Sequence, residues 1–203
     1  MTSPAPAIPR NADYFSFLGL PRKLMISGDD LEQRFRGLSR QYHPDYFYNA
    51  PPAERRMSLE RSSYLNDAYR TLKNPIARLE YLLQLEGFAA KSPEEASKQV
   101  PPDLLEEVFS LNEELDEIRD MRAGGAEPAQ IAARLEQARG PIDAKRAAHE
   151  SQLEQLFARW DALLDRDAPP AERTPVLEAL RARVLERNYI SNLLAGIEKE
   201  MSA

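Results

Sequence analysis

Apolar side chains recur at steps of three and four along almost the whole chain, and this spacing restricts the fold more than any other feature. The steps are 4, 3 and 4 both from Leu31 to Tyr42 and from Ile131 to Ile142. Such spacing aligns side chains on one face of a helix. No stretch shows the alternation and β-branched enrichment that are typical of strands. The sequence therefore predicts an all-α fold.

Composition excludes several classes of protein. The chain has 203 residues and no cysteine, which rules out a disulfide framework, a thiolate zinc site and a cysteine nucleophile. No apolar run reaches the roughly 18 residues of a membrane span. The proline-rich start lacks the apolar core of a secretory signal, so we expect residues 1–12 to form a disordered tail. We expect a cytoplasmic location, which the lack of cysteine fits.

Charge is distributed unevenly between the two halves. Residues 1–87 have a net charge of +2, and residues 88–203 have a net charge of −8. Eight acidic residues lie between Asp103 and Met121, where Arg119 is the only basic residue. This excess of acid argues against non-specific nucleic-acid binding.

Proline and glycine divide the predicted helices into two groups. The first group occupies residues 13–87, with a helix capped by Ser27 and another from about Pro52 to Lys73. Residues 88–102 have no apolar period and are predicted to be a linker. Residues 103–203 are predicted to form a helical bundle, with a kink or break at Gly140-Pro141.

One tripeptide, His43-Pro44-Asp45, separates the two long helices of the first group. Pro44 ends the first of these helices, and it favours an extended backbone at His43. The result is an exposed loop that carries an imidazole and a carboxylate. Arg34, Arg36 and Arg40 lie off the apolar stripe of the preceding helix.

His43 and Asp45 could in principle form a catalytic pair. A general base needs a cleft and a positioned substrate or proton donor. We expect neither a serine or cysteine partner nor a metal at this loop, so catalysis is disfavoured. A second alternative, without a binding role, is a turn proline with a capping aspartate.

Several motifs together resemble the HscB family, the J-domain co-chaperones of iron–sulfur cluster assembly. The resemblance rests on segments spread over residues 13–118: 13–21, 41–45, 65–72, 75–83 and 111–118. It implies a J-domain helical hairpin followed by a three-helix bundle, in an L-shaped arrangement. Tyr46 stands where this family usually has lysine.

The resemblance implies a binding protein without enzymatic activity, cofactor or metal. Its implied partners are a DnaK-type ATPase chaperone (HscA type) and an IscU-type scaffold protein, and we expect a monomer. The alternative is a general J-protein that serves a different client.

The resemblance also implies which residues meet each partner. The chaperone would contact His43, Pro44, Asp45, Arg34, Arg36 and Arg40. The scaffold would contact Leu105, Phe109, Glu113 and Glu117, which share one helix face, together with Tyr189. Two alternatives remain for these sets: the arginines could form a solvated face, and Leu105 and Phe109 could belong to the bundle core. His149 has no neighbours of the types that ligate metals, and it is predicted to be a surface or core residue without a functional role.

Overall fold

The computed structural model describes residues 12–89 and 102–202, with the backbone alone for residues 102–105. Within these ranges every long element is a helix, as the apolar spacing predicts. The helices are α1 (Tyr14–Phe17), α2 (Gly28–Tyr42), α3 (Pro52–Lys73), α4 (Pro75–Leu85), α5 (Pro102–Ala123), α6 (Pro128–Asp165) and α7 (Pro170–Met201), and a 3₁₀ helix spans Pro44–Phe47.

The chain divides into two compact units. The first comprises Met1–Gly87 together with Trp160–Ala168, and the second comprises Phe88–Arg159 together with Pro169–Ala203. The last turns of α6 thus belong to the first unit. The predicted linker, 88–102, lies mostly outside the described residues, as does most of the predicted disordered tail.

Local signals set the ends of the helices in the first unit. Ser27 caps α2 by accepting a hydrogen bond from the Asp30 amide at 3.4 Å, as predicted. Gly19 ends the short α1 turn with a φ of +67°, a left-handed conformation that favours glycine. Asn74 accepts hydrogen bonds from the first amides of α4. These caps explain why the predicted bounds of α2 and α3 agree with the observed ones.

Helices α2 and α3 are antiparallel. Tyr42 at the end of α2 contacts Ser58 near the start of α3, and Phe35 stacks on Tyr69 farther from the connecting loop. The core of this unit is mainly aliphatic and aromatic. It contains Phe15, Phe17, Leu18, Leu20, Leu31, Tyr42, Leu65, Ala68 and Leu72.

An aromatic cluster fixes the α1 segment to α3 and α4. The Tyr14 ring stacks on Tyr81 at 4.4 Å and tilts against Tyr64 at 5.0 Å. The Tyr81 hydroxyl accepts a hydrogen bond from the Tyr14 amide, and the Tyr64 hydroxyl donates to the Ala12 carbonyl. Burial and the neighbouring rings raise the pKa of Tyr64 to about 12.

Helices α5, α6 and α7 form the second unit around one apolar core. This core contains Leu111, Leu115, Ile118, Ile131, Leu135, Ile142, Ile190, Leu193, Leu194 and Ile197. Arg119 and Arg122 of α5 bind the buried Glu200 of α7. The buried His149 of α6 donates from Nε2 to the Arg183 carbonyl of α7 at 2.8 Å.

A kink or break is predicted at Gly140-Pro141, and the break does not occur: α6 is one continuous helix of 38 residues. Pro141 is exposed, and it removes only one backbone donor. Arg139 and Asp143 bridge the site with an ion pair at 2.9 Å. Ile142 stays buried in the core, so packing holds the helix together across the proline.

Candidate functional site

The tip loop, defined here as His43–Pro51, is presented at the joined ends of α2 and α3. His43 is extended, with φ −62° and ψ 127°, as the following proline predicts. The 3₁₀ helix then begins at Pro44, where the missing N–H costs nothing. The side chains of His43 and Asp45 are 49% and 86% exposed, so both are available to a partner.

Hydrogen bonding orients the imidazole within the loop. His43 Nδ1 accepts a hydrogen bond from the Asp45 amide at 3.3 Å. The same nitrogen lies 3.5 Å from Asp45 Oδ2. With Nδ1 accepting, Nε2 carries the proton of the neutral ring and remains a donor. The Tyr46 ring meets the imidazole edge-on at 6.0 Å.

Contacts beneath the loop fix the end of α2. The Ser58 hydroxyl donates to the Tyr42 carbonyl at 2.8 Å and is buried. Arg61 lies over the Tyr42 ring at 5.2 Å. The sequence analysis missed both residues, because nothing in the local pattern of Ser58 or Arg61 indicates that Tyr42, on the preceding helix, is their partner.

The geometry supports binding rather than catalysis at this loop. Ser39 lines a shallow depression with Arg40, His43, Asp45 and Tyr46, so a serine does lie nearby, contrary to our expectation. However, Ser39 forms no hydrogen bond to His43 in the described part of the chain, and His43 Nδ1 is already occupied. Asp45 faces solvent, so the depression does not exclude water, as acid–base catalysis usually requires.

The three predicted arginines have different environments. Arg34 donates to Asp30 and to the Leu18 and Gly19 carbonyls, so it joins α2 to the end of α1. Arg36 is paired with Glu32 on its own helix. Arg40 is exposed, and its only hydrogen bond in the described residues is a long one to the Arg36 carbonyl. Arg40 therefore has the most free donors beside the tip loop.

The outer face of α5 forms a second candidate site, here called the acidic ridge (Phe109, Glu113 and Glu117). The Phe109 side chain is 69% exposed, so the alternative that it belongs to the core is wrong. Glu113 is exposed, and Glu117 is paired with Arg134 at 2.5 Å. The side chain of Leu105 lies outside the described part.

A groove between α5 and α7 adjoins the acidic ridge. Tyr189 is half-buried in it, beside Val108, Asn112 and Gly196. The groove has a volume of about 230 Å³. The structure therefore brings Tyr189 close to the helix that carries Phe109, although the two are far apart in sequence.

The described residues contain no cluster of three histidine or carboxylate side chains arranged to hold a metal ion. No helix in 12–89 or 102–202 is long and apolar enough to cross a membrane.

Comparison with known proteins identifies the class. Residues 13–81 match the model of the DnaJ domain, and these residues contain α1 to α3, the tip loop and most of α4. An antiparallel pair of helices with His-Pro-Asp at its tip, together with this match, makes the chain a J-domain protein.

Solved structures extend the similarity over both units. Chaperone HscB from Vibrio cholerae is 28% identical, with a TM-score of 0.62, and the match covers 92% of this chain and 96% of that one. The human co-chaperone protein HscB is 25% identical, with a TM-score of 0.62, and the match covers 95% of this chain and 83% of that one. The chain is therefore similar over both units to HscB co-chaperones, and it contains a J-domain.

Proposed function

We propose that this protein binds an IscU-type iron–sulfur cluster scaffold and delivers it to a DnaK-type chaperone of the HscA kind. The tip loop would stimulate the chaperone's ATPase, in the maturation of iron–sulfur proteins. Similarity to HscB structures over both units supports a role that uses both units rather than the J-domain alone. The protein would act as a monomer in the cytoplasm, and it would catalyse no reaction itself.

The observation that carries the proposal is the exposed but oriented His43-Pro44-Asp45 loop. Its backbone is fixed by Pro44, by the His43–Asp45 hydrogen bond and by Ser58 beneath Tyr42. A pre-ordered loop loses little conformational entropy when it binds. The Nε2–H of the exposed His43 and the carboxylate of the exposed Asp45 would offer a donor and an acceptor to the ATPase.

Arg40 would add electrostatic attraction to this contact. Its guanidinium is exposed next to the depression that contains His43 and Asp45. A guanidinium is suited to bind a carboxylate with two parallel hydrogen bonds. Arg36 is a weaker candidate because Glu32 already holds it, and Arg34 serves chiefly to join α2 to α1.

The acidic ridge and the adjoining α5–α7 groove would receive the scaffold. Phe109 is a large apolar side chain exposed on a highly charged helix, and exposed aromatic residues often anchor interfaces. Glu113 and Glu117 follow it on the same face of α5, one and two turns farther along, and would orient a basic partner surface. Tyr189 would extend the apolar contact across the groove.

A coupled assay tests the proposal. ATP hydrolysis by the cognate HscA-type chaperone is measured alone, with this protein, and with this protein plus the scaffold. We expect stimulation by this protein and further stimulation when the scaffold is present. A pull-down compares the scaffold with an unfolded polypeptide, because a general J-protein would prefer the latter. Stimulation without scaffold binding would support that alternative and overturn the scaffold assignment.

A further inference from the structure

A second groove runs between α5 and α6, on a different side of α5 from the α5–α7 groove. Its volume is about 590 Å³ and it is open to solvent. Its floor and walls combine small, apolar and amide side chains from Ser110, Leu111, Gln137, Ala138, Pro141 and Ile142. This groove lies within the second unit and is separate from the residues assigned above.

Two interhelical ion pairs flank this groove. Lys145 Nζ lies 2.5 Å from Glu107 Oε1, and Arg134 Nε lies 2.6 Å from Glu114 Oε1. Between these pairs the facing positions are small, with Ser110 on α5 and Ala138 on α6. The ion pairs therefore hold the two helices together while no large side chain fills the space between them.

Pro141 leaves the backbone carbonyl of Gln137, a residue that lines this groove, without its usual helical donor. In a regular helix the amide of residue 141 would donate to the carbonyl of Gln137, but proline has no N–H. Gln137 and Pro141 are both exposed and both line the groove. The Gln137 carbonyl can therefore accept a hydrogen bond from a ligand.

The charged side chains that line the groove are all acidic: Glu106, Glu107 and Glu114. Glu106 lines the groove, is exposed, and has no ion-pair partner within the described residues. The groove thus offers a carboxylate, a carbonyl and an apolar floor, but no free cation, because Lys145 and Arg134 are paired. These groups match a side chain with an apolar stem and a cationic head.

We propose that the α5–α6 groove binds a lysine side chain from a basic segment of a partner protein. The methylene stem would pack on Leu111, Ala138 and Pro141, as lysine stems do on apolar surfaces. The ammonium would donate to the Gln137 carbonyl and to Glu106. This site goes beyond the proposed function, because it adds a second contact surface on α5 for a basic peptide.

The test uses the full chain and a short fluorescein-labelled peptide of alternating lysine and leucine. Fluorescence anisotropy measures binding, with a fully acetylated form of the same peptide as the comparison. We expect saturable binding at one site per chain by the lysine peptide and none by the acetylated one. Because neither chaperone nor scaffold is present, the outcome is independent of the proposed function.

A matched pair of variants separates the groove from general attraction to acidic residues. Glu106→Gln and Asp120→Asn each remove one exposed negative charge from α5, but only Glu106 lines the groove. We expect Glu106→Gln to weaken peptide binding roughly two- to fivefold. Asp120→Asn should change it less than about twofold at 0.15 M salt. Equal losses in the two variants would overturn the proposal.

Pro141→Ala gives a test in which stability and binding move in opposite directions. Alanine restores the missing amide donor and suits a helix interior, so the melting temperature should rise. The same change should weaken peptide binding, because it occupies the Gln137 carbonyl and removes the pyrrolidine ring from the groove. Unchanged or tighter peptide binding by Pro141→Ala would refute the site.

Discussion

Asp161 Oδ1 accepts a hydrogen bond from the backbone amide of Leu24 at 2.7 Å, across 137 positions of sequence. Its other carboxylate oxygen accepts from the Met25 amide at 2.9 Å. Beside it, Trp160 Nε1 donates to the Arg22 carbonyl at 2.9 Å. The end of α6 thus satisfies three backbone groups of the loop between α1 and α2. Residues 160–168 are a structural part of the first unit.

This relationship predicts that Asp161→Ala destabilises the first unit. Asp161 is buried, and its removal leaves two backbone donors without partners and the nearby buried Arg78 without a countercharge. We expect a loss of roughly 2–4 kcal/mol in unfolding free energy. Urea unfolding followed by fluorescence measures it, because Trp160 is the only tryptophan and is fully buried.

Asp165→Ala is the matched control for this prediction. Asp165 pairs with Lys23 at 2.5 Å but is 63% exposed, so its removal should change the unfolding free energy by less than about 1 kcal/mol. If Asp161→Ala were no more destabilising than Asp165→Ala, the importance of the buried hydrogen bonds would be refuted.

Substitution by glutamine should affect ATPase stimulation at His43 and thermal stability at His149. His43→Gln should abolish stimulation of the chaperone's ATPase, because it changes the proposed contact with the chaperone. The circular dichroism spectrum should be unchanged, because the side chain is exposed and supports no packing. His149→Gln should lower thermal stability, since the imidazole is buried and bonded to the Arg183 carbonyl. At a temperature below its melting transition, His149→Gln should still stimulate. Full stimulation by His43→Gln would contradict the role of the tip loop.

Alanine substitution should lower chaperone affinity at Arg40 and thermal stability at Arg34. Arg40→Ala should weaken chaperone binding and reduce its dependence on salt, because an exposed charge is screened over about 10 Å at 0.1 M. Arg34→Ala should instead lower the melting temperature, since it removes hydrogen bonds to the Leu18 and Gly19 carbonyls. Binding measured by calorimetry at low and high salt distinguishes them. An affinity that Arg40→Ala leaves unchanged at low salt would exclude this contact.

Phe109→Ala should weaken scaffold binding strongly and leave thermal stability unchanged. An exposed aromatic residue at an interface centre can contribute about 2 kcal/mol or more to binding. Leu115→Ala is the comparison, because Leu115 is a core residue of the same helix and its truncation should cost about 2–5 kcal/mol of stability.

In the same titration, Glu113→Ala should act mainly on the rate at which the scaffold associates. Lost stability with unchanged scaffold affinity in Phe109→Ala would argue against the acidic ridge.

Acid should weaken the second unit through Glu200. Its hydrogen bond from Arg119, reinforced by Arg122, lowers the pKa of this carboxyl below its usual value of 4.5. A carboxyl whose pKa is lower in the folded state adds stability that is fully present above its unfolded pKa. That stability is lost as pH falls toward the folded value. As the pH is lowered from neutral to acidic, the melting temperature should therefore fall less steeply in Glu200→Gln than in the unchanged protein. Equal slopes of melting temperature against pH would contradict the prediction.

Much of the secondary structure could be predicted because its signals are local. The α3 helix begins at Pro52 and ends before Asn74-Pro75, as the proline positions indicate. The extended backbone of His43 follows from Pro44 in the same way. Of the kink or break predicted at Gly140-Pro141, the break is wrong, because the buried Ile142 and the Arg139–Asp143 ion pair keep α6 continuous across the proline.

The sequence by itself determined the all-α class, the limits of α2 and α3 and the place of the His-Pro-Asp tip, since period, caps and proline act within a few residues. Only the tertiary structure decided that Phe109 is exposed, that Arg34 is used within the J-domain while Arg40 is not, and that Asp161 binds the Leu24 amide. A helical stripe indicates which residues share a face, but not which neighbouring element covers that face. Burial and long-range hydrogen bonds depend on that neighbour, and its position is set by packing across the whole unit.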